Sequence, residues 1–165
     1  MAREFKSLET QLEIYGGLIV QRLADGLDAN NTNASGALKG SIELTVKANA
    51  GGMFVDALDY WDDVDGGTRP HKPPLTDLMK WLSYPNVRDK LRFGASDKAF
   101  GEKEMKSLAF LIQRKIGREG TKGTNFAKNV MESDLIDQMV GALGDAAFED
   151  FDRMVGEIVD NYNKR

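Results

Sequence analysis

One stretch of this chain alternates with period two, and only one. Leu38, Gly40, Ile42, Leu44, Val46 and Ala48 share one parity; Lys39, Ser41, Glu43, Thr45 and Lys47 share the other. Such alternation predicts a strand with one buried face, because successive side chains leave opposite faces of a strand. Asn49-Ala50-Gly51-Gly52 supplies a turn, and Met53-Phe54-Val55-Asp56-Ala57-Leu58 reads as the return strand. No clear third strand follows. Two strands alone are marginal in water. The hairpin therefore needs helices over it, or strands from neighbouring subunits. The expected class is α+β: an N-terminal helix, a β-hairpin forming a small antiparallel sheet, then helices that include a long C-terminal one.

The rest of the chain carries helical period. Phe5, Leu8, Leu12, Tyr15, Ile19 and Leu23 form one stripe, so residues 4–27 read as a helix ending near Asp25-Gly26. Gly16-Gly17 interrupts it at roughly 1 kcal/mol per glycine. Residues 59–74 read as a short helical turn and then an extended loop stiffened by Pro70, Pro73 and Pro74. Pro74 suits the first turn of a helix over 74–83, whose apolar face is Leu75, Leu78, Trp81 and Leu82, with Trp81 as its core anchor. Tyr84-Pro85-Asn86 stops that helix, and residues 85–101 are irregular. Met105, Leu108, Ala109, Ile112 and Ile116 place a helix over 102–117, with Gly117 and Gly120 as candidate caps. Thr121–Phe126 reads as a flexible loop.

A final helix over 133–162 starts at Ser133 and carries Ile136, Val140, Leu143, Ala147, Phe151, Met154, Ile158 and Tyr162. A break near Gly141 or Gly144 into two shorter helices is the alternative. Unbroken, it is roughly 42 Å long at ~1.5 Å per residue. That exceeds the width of a small domain, so part of it is expected to pack on another chain. No linker or repeat divides residues 1–165, which read as a single domain.

Composition narrows the chemistry. There is no cysteine and a single histidine, His71, which excludes disulfides, thiol catalysis and a multi-histidine metal site within one chain. No apolar run approaches the ~20 residues of a membrane span. Met1–Lys6 shows no signal-peptide core; the absence of cysteine and the single-domain length fit a small subunit made in a reducing cytoplasm. The net charge of −4 hides three blocks. Residues 1–68 carry 5 Lys/Arg and 11 Asp/Glu, residues 69–128 carry 14 and 6, and residues 129–165 carry 3 and 9. Acid–base–acid blocks of −6, +8 and −6 allow copies to attract head to tail, or the middle block to face nucleic acid, and equally fit the solvated faces of helices.

No constellation rises to a catalytic, metal or cofactor site. The cluster Asp56, Asp59, Asp62, Asp63 and Asp65 lacks the acidic twelfth residue of a calcium loop, since counting from Asp63 reaches Pro74. Gly117 to Thr124 resembles a phosphate loop only superficially, because its lysine is misplaced by one and a helix precedes it. His71 has no accompanying nucleophile.

The order of segments carries more. Asp59-Tyr60-Trp61-Asp62-Asp63-Val64-Asp65-Gly66-Gly67-Thr68-Arg69-Pro70 follows the hairpin; Pro73-Pro74-Leu75, Leu78 and Trp81-Leu82 come next; Ala109 to Phe126 closes the set with Ile112, Arg114, Ile116, Gly120-Thr121, Gly123 and Phe126. In this order the segments resemble the small tail-completion and neck proteins of tailed bacteriophages. The acidic pair Asp62-Asp63 and the insert 85–101 depart from that pattern. The resemblance implies a non-enzymatic virion subunit at the head–tail junction. It would form rings, often hexamers, between the connector or adaptor and the tail-tube or terminator proteins. DNA would slide through the lumen without specific binding, repelled by an acidic inner surface. The resemblance marks Gly66, Gly67, Thr68, Arg69, Pro70, Pro73, Pro74, Trp81, Gly120, Thr121, Gly123 and Phe126 as interface or loop residues. Phe126 would be an apolar plug within a second contact loop. A nucleic-acid-associated protein using residues 69–128 is the alternative, and a small metal-dependent hydrolase built on the aspartates a more distant one.

Overall fold

Helical period governs most of the chain. The computed structural model describes residues 5–30, 34–48, 51–89, 91 and 101–164, and over these it is α+β. The elements are α1 (Lys6–Ala29), α2 (Ala37–Gly40), β1 (Glu43–Lys47), β2 (Gly52–Asp56), α3 (Trp61–Gly66), β3 (Gly67–Thr68), α4 (Leu75–Ser83), α5 (Pro85–Arg88), α6 (Glu102–Glu119), β4 (Thr121–Lys122), α7 (Phe126–Met131) and α8 (Asp134–Asn163). The described residues fall into two compact units. One takes in residues up to Gly26, Ser41–Leu58 and everything from Phe126 onward; the other takes in Leu27–Gly40 and Asp59–Asn125.

In the first unit the hairpin lies on α1. Leu44 faces Val55 and Val46 faces Met53 across the antiparallel pair. These four are half-buried, while Glu43, Thr45 and Lys47 face out. Leu44 and Met53 fill the space over Gly16, where a Cβ would collide with Leu44. The glycine that weakens α1 locally is thus what lets the sheet approach it. Leu12, Ile19 and Leu23 of α1 are buried, as are Phe126 and Val130 of α7 and Leu135 and Ala146 of α8. Phe126 sits against Gly26, where an added Cβ would lie 3.1 Å from the Phe126 Cβ.

In the second unit α4 packs on α6. Leu78 and Leu82 of α4, Val87 of α5 and Ala109 of α6 form the core, flanked by Leu75, Met79, Met105, Leu108, Ile112 and Ile116. A second antiparallel pair, β3 with β4, joins Gly67 to Lys122 and Thr68 to Thr121.

Several boundaries differ from the sequence reading. Residues 38–40 are not strand. Ser35 Oγ accepts the Ala37 N–H and Gly36 takes positive φ, so the chain turns into α2 and buries Leu38 before β1 begins. α1 runs through Gly16-Gly17 and past Gly26, and α8 runs unbroken through Gly141 and Gly144, because apolar packing outweighs propensity. Ser133 has the extended backbone of an N-cap, but its hydroxyl bonds back to Val130 O. Gly117 is helical and Gly120 is the cap of α6. Thr121 and Lys122 are paired rather than loose, and α7 follows at once. Trp81 is not a core anchor: it is 40% exposed, and Leu78 and Leu82 fill the interior instead. Of the irregular stretch 85–101, residue 90 and residues 92–100 lie outside the described residues; Pro85–Arg88 forms α5.

Candidate functional site

The motif segments meet in the second unit. Two helices end there in the same way. α3 stops at Gly67 with φ 78°, followed by Thr68; α6 stops at Gly120 with φ 76°, followed by Thr121. Positive φ is open to glycine and strained for other residues. The two Gly-Thr steps then clasp each other reciprocally. Thr68 N–H donates to Thr121 Oγ1 at 3.0 Å, Thr121 N–H donates to Thr68 Oγ1 at 3.2 Å, and the hydroxyls lie 2.9 Å apart. A Cβ on Gly67 would strike the Thr121 carbonyl, and one on Gly120 the Thr68 carbonyl. Gly123 is pressed as closely against Asp65 and Gly66.

Hydrogen bonds extend the clasp on both sides. Val64 O accepts from the Thr124 N–H at 3.1 Å and from the Thr124 hydroxyl at 3.0 Å. Asn125, at φ 53°, donates its N–H to Asp65 O at 2.9 Å. Gln113, buried on α6, donates from Nε2 to Pro73 O at 2.7 Å, and His71 N–H reaches Ile116 O. The Arg69–Pro74 segment is therefore held at its start by Thr68 and near its end by Gln113. Arg69, Pro70, His71, Lys72 and Pro74 between and beside these anchors are exposed, whereas Pro73 is half-buried. A stiff, basic loop is presented on a backbone-locked base.

His71 Nδ1 lies 3.0 Å from Arg69 O and 3.3 Å from Thr68 Oγ1. Bonding to a carbonyl requires the proton on Nδ1, which leaves that nitrogen unable to accept one from Thr68. Among the described residues no group of three or more His, Asp or Glu is placed to hold a metal ion. Asp62 and Asp63 lie exposed in the first turn of α3, where they face the positive end of the helix dipole.

Of the residues marked by sequence, Gly66, Gly67, Thr68, Gly120, Thr121 and Gly123 come together in the clasp, and Arg69, Pro70, Pro73 and Pro74 form the loop it carries. Trp81 lies apart on the outer side of α4. Phe126 belongs to the core of the first unit at 1% exposure, so it plugs its own chain and is not offered outward.

Sequence reasoning missed Gln113, Thr124, Asn125 and Asp150. Gln113 and Asp150 were visible in principle, as polar residues on otherwise apolar helix faces. Asp150 is fully buried and accepts from Ser7 N–H at 3.1 Å and Leu8 N–H at 2.9 Å, with the Arg153 guanidinium at 2.8 Å. It caps the first turn of α1 from a distant helix. Burial pushes its pKa up, but the Leu8 and Ser7 bonds and then Arg153 outweigh that, and the carboxyl is held below its ordinary value.

α8 has two apolar faces. Leu135, Ala146 and Asp150 point inward. Val140, Phe148, Phe151, Val155, Ile158, Val159 and Tyr162 are exposed. Among the described residues beyond Asp150, only Met154 is even half-covered. No described helix is long and apolar enough to cross a membrane. Comparison with family models, with curated proteins and with solved structures gives no match for this chain.

Proposed function

We propose that the chain is a ring-forming structural subunit of the head–tail junction of a tailed bacteriophage, joining the connector to the tail tube without catalysing a reaction. One observation carries the reading. Segments more than fifty residues apart in sequence, singled out by their likeness to neck and tail-completion proteins, converge on one clasp that fixes a stiff exposed loop. Loops held this rigidly lose little entropy when they engage a neighbour. The exposed face of α8 supports it independently, since an apolar surface of that length marks an interaction site. In this reading the virion is where the protein resides, and the genome passes through the ring without sequence-specific contact.

Deleting the gene for this chain from its phage tests the proposal. The expected result is filled heads and separate tails that fail to join, with joining restored when purified chain is added. Normal infectious particles lacking the chain would overturn it. The basic, exposed side of α6 keeps a second reading in play, nucleic-acid binding, which predicts duplex retention that falls steeply with salt.

A further inference from the structure

The exposed faces of α8 and α6 are opposite in charge and alike in being apolar at the centre. On α8, Phe148, Phe151, Val155, Ile158 and Tyr162 recur at alternating steps of three and four, a seam suited to packing along another helix. Asp145 and Asp152 edge that seam, and Glu149, Glu157 and Asp160 lie further round. On α6, Phe110 and Leu111 are 55% and 57% exposed. Lys103, Lys106, Arg114, Lys115 and Arg118 fall three, four or seven residues from one of them, as does Glu104, and Arg118 pairs with Glu119, so the frame around the apolar centre is mainly basic. The inward residues Ala109 and Gln113 hold the other side of α6 against its own unit.

Resting on the ring reading, we propose that the outer face of α8 in one copy docks on the outer face of α6 in the next. Two α8 seams set against each other would oppose acid to acid, which disfavours the symmetric pair. Acid against base removes that repulsion, and the apolar centres are desolvated between them. When each copy gives its α8 to one neighbour and its α6 to another, the contact is heterologous, the kind that builds a ring where the rotation closes. It also explains the block structure of the chain, since the basic middle of one copy meets the acidic C-terminal part of another.

Charge swapping in the full chain tests this. One variant carries Asp145→Lys and Asp152→Lys; a second carries Lys106→Glu and Arg114→Glu. Mass is read by sedimentation equilibrium, with circular dichroism as the check on folding. Wild type is expected to assemble, and each variant alone to lose about tenfold or more in self-association. An equimolar mixture of the two variants is expected to reassemble, which a misfolded chain does not do. The inference is overturned by a monomeric wild type, by variants that assemble as wild type does, or by a mixture that stays dissociated. DNA duplex retained by wild type and lost in the α6 variant, with mass unchanged, assigns that face to nucleic acid and overturns it too. Rings unaffected by both variants sink the docking while leaving the ring reading intact; unaltered virion joining without the chain sinks the ring reading itself.

Discussion

The described residues hold two small antiparallel sheets by different means. In β1–β2 the backbone ladder is ordinary, and side chains do the anchoring: Leu44 and Met53 rest on α1 over Gly16. In β3–β4 there are two residues a side and no apolar face at all. There the absence of side chains matters, because Gly67, Gly120 and Gly123 bring backbones closer than any Cβ allows, and two threonine hydroxyls close the remaining gap. A side-chain sheet tolerates adjustment, since neighbouring side chains can repack. A backbone clasp has nothing that can yield.

The contrast is sharpest at Gly120. Gly120→Val combines an unfavourable φ with a collision against the Thr68 carbonyl, so a loss of about 3–5 kcal/mol is expected in urea unfolding. A loss below that of Leu44→Ala would break the distinction between the two sheets.

The first unit has its own polar fixture in Asp150. Asp150→Ala strands the Ser7 and Leu8 N–H groups and should cost about 2 kcal/mol. The pH dependence follows from the lowered pKa. The unfolded carboxyl takes up its proton near the ordinary 3.8, before the folded one does. Its stabilisation is thus full above that value and is lost as pH falls through the folded value. Acid unfolding of Asp150→Asn, compared with wild type, should show a shallower fall below about pH 4. Parallel curves would mean that Asp150 is not the group responsible.

Leu44→Ala removes a half-buried side chain that neighbours can partly replace, and about 1–2 kcal/mol is expected from thermal melts. Smallest is the paired replacement of Thr68 and Thr121 by Val, about 1 kcal/mol, because the two N–H groups that lose their hydroxyl acceptors lie at an exposed site where water can replace them, and the glycine contacts remain. An effect as large as that of Gly120→Val would place the strength of the clasp in its hydroxyls rather than in its backbone.

Legibility in the sequence follows the same divide. The hairpin was readable because its five-residue strands repeat with period two, and α1, α4, α6 and α8 because their stripes repeat with period 3.6. β3 and β4 are too short to show any period, so Thr121–Phe126 looked like a loose loop although it is paired. The glycines that build the clasp were conspicuous, but nothing local says which backbone each must approach. Trp81 misled by size: its spacing matches the α4 stripe, yet Leu78 and Leu82 leave it no interior room. Phe126 ends a polar stretch and so read as part of a loop, whereas it opens α7 and fills the space at Gly26. The outer face of α8 was partly legible, since the helix was too long for a small domain; its division into two apolar faces needed the buried set to be known.

The most direct test of the central claim is a reconstruction of the head–tail junction in particles containing this chain. The account predicts a closed ring of copies between connector and tail tube, each built as α1 to α8 with the Arg69–Pro74 loop against a neighbouring subunit. A junction fully accounted for by other chains, with this one absent from the particle, would contradict it.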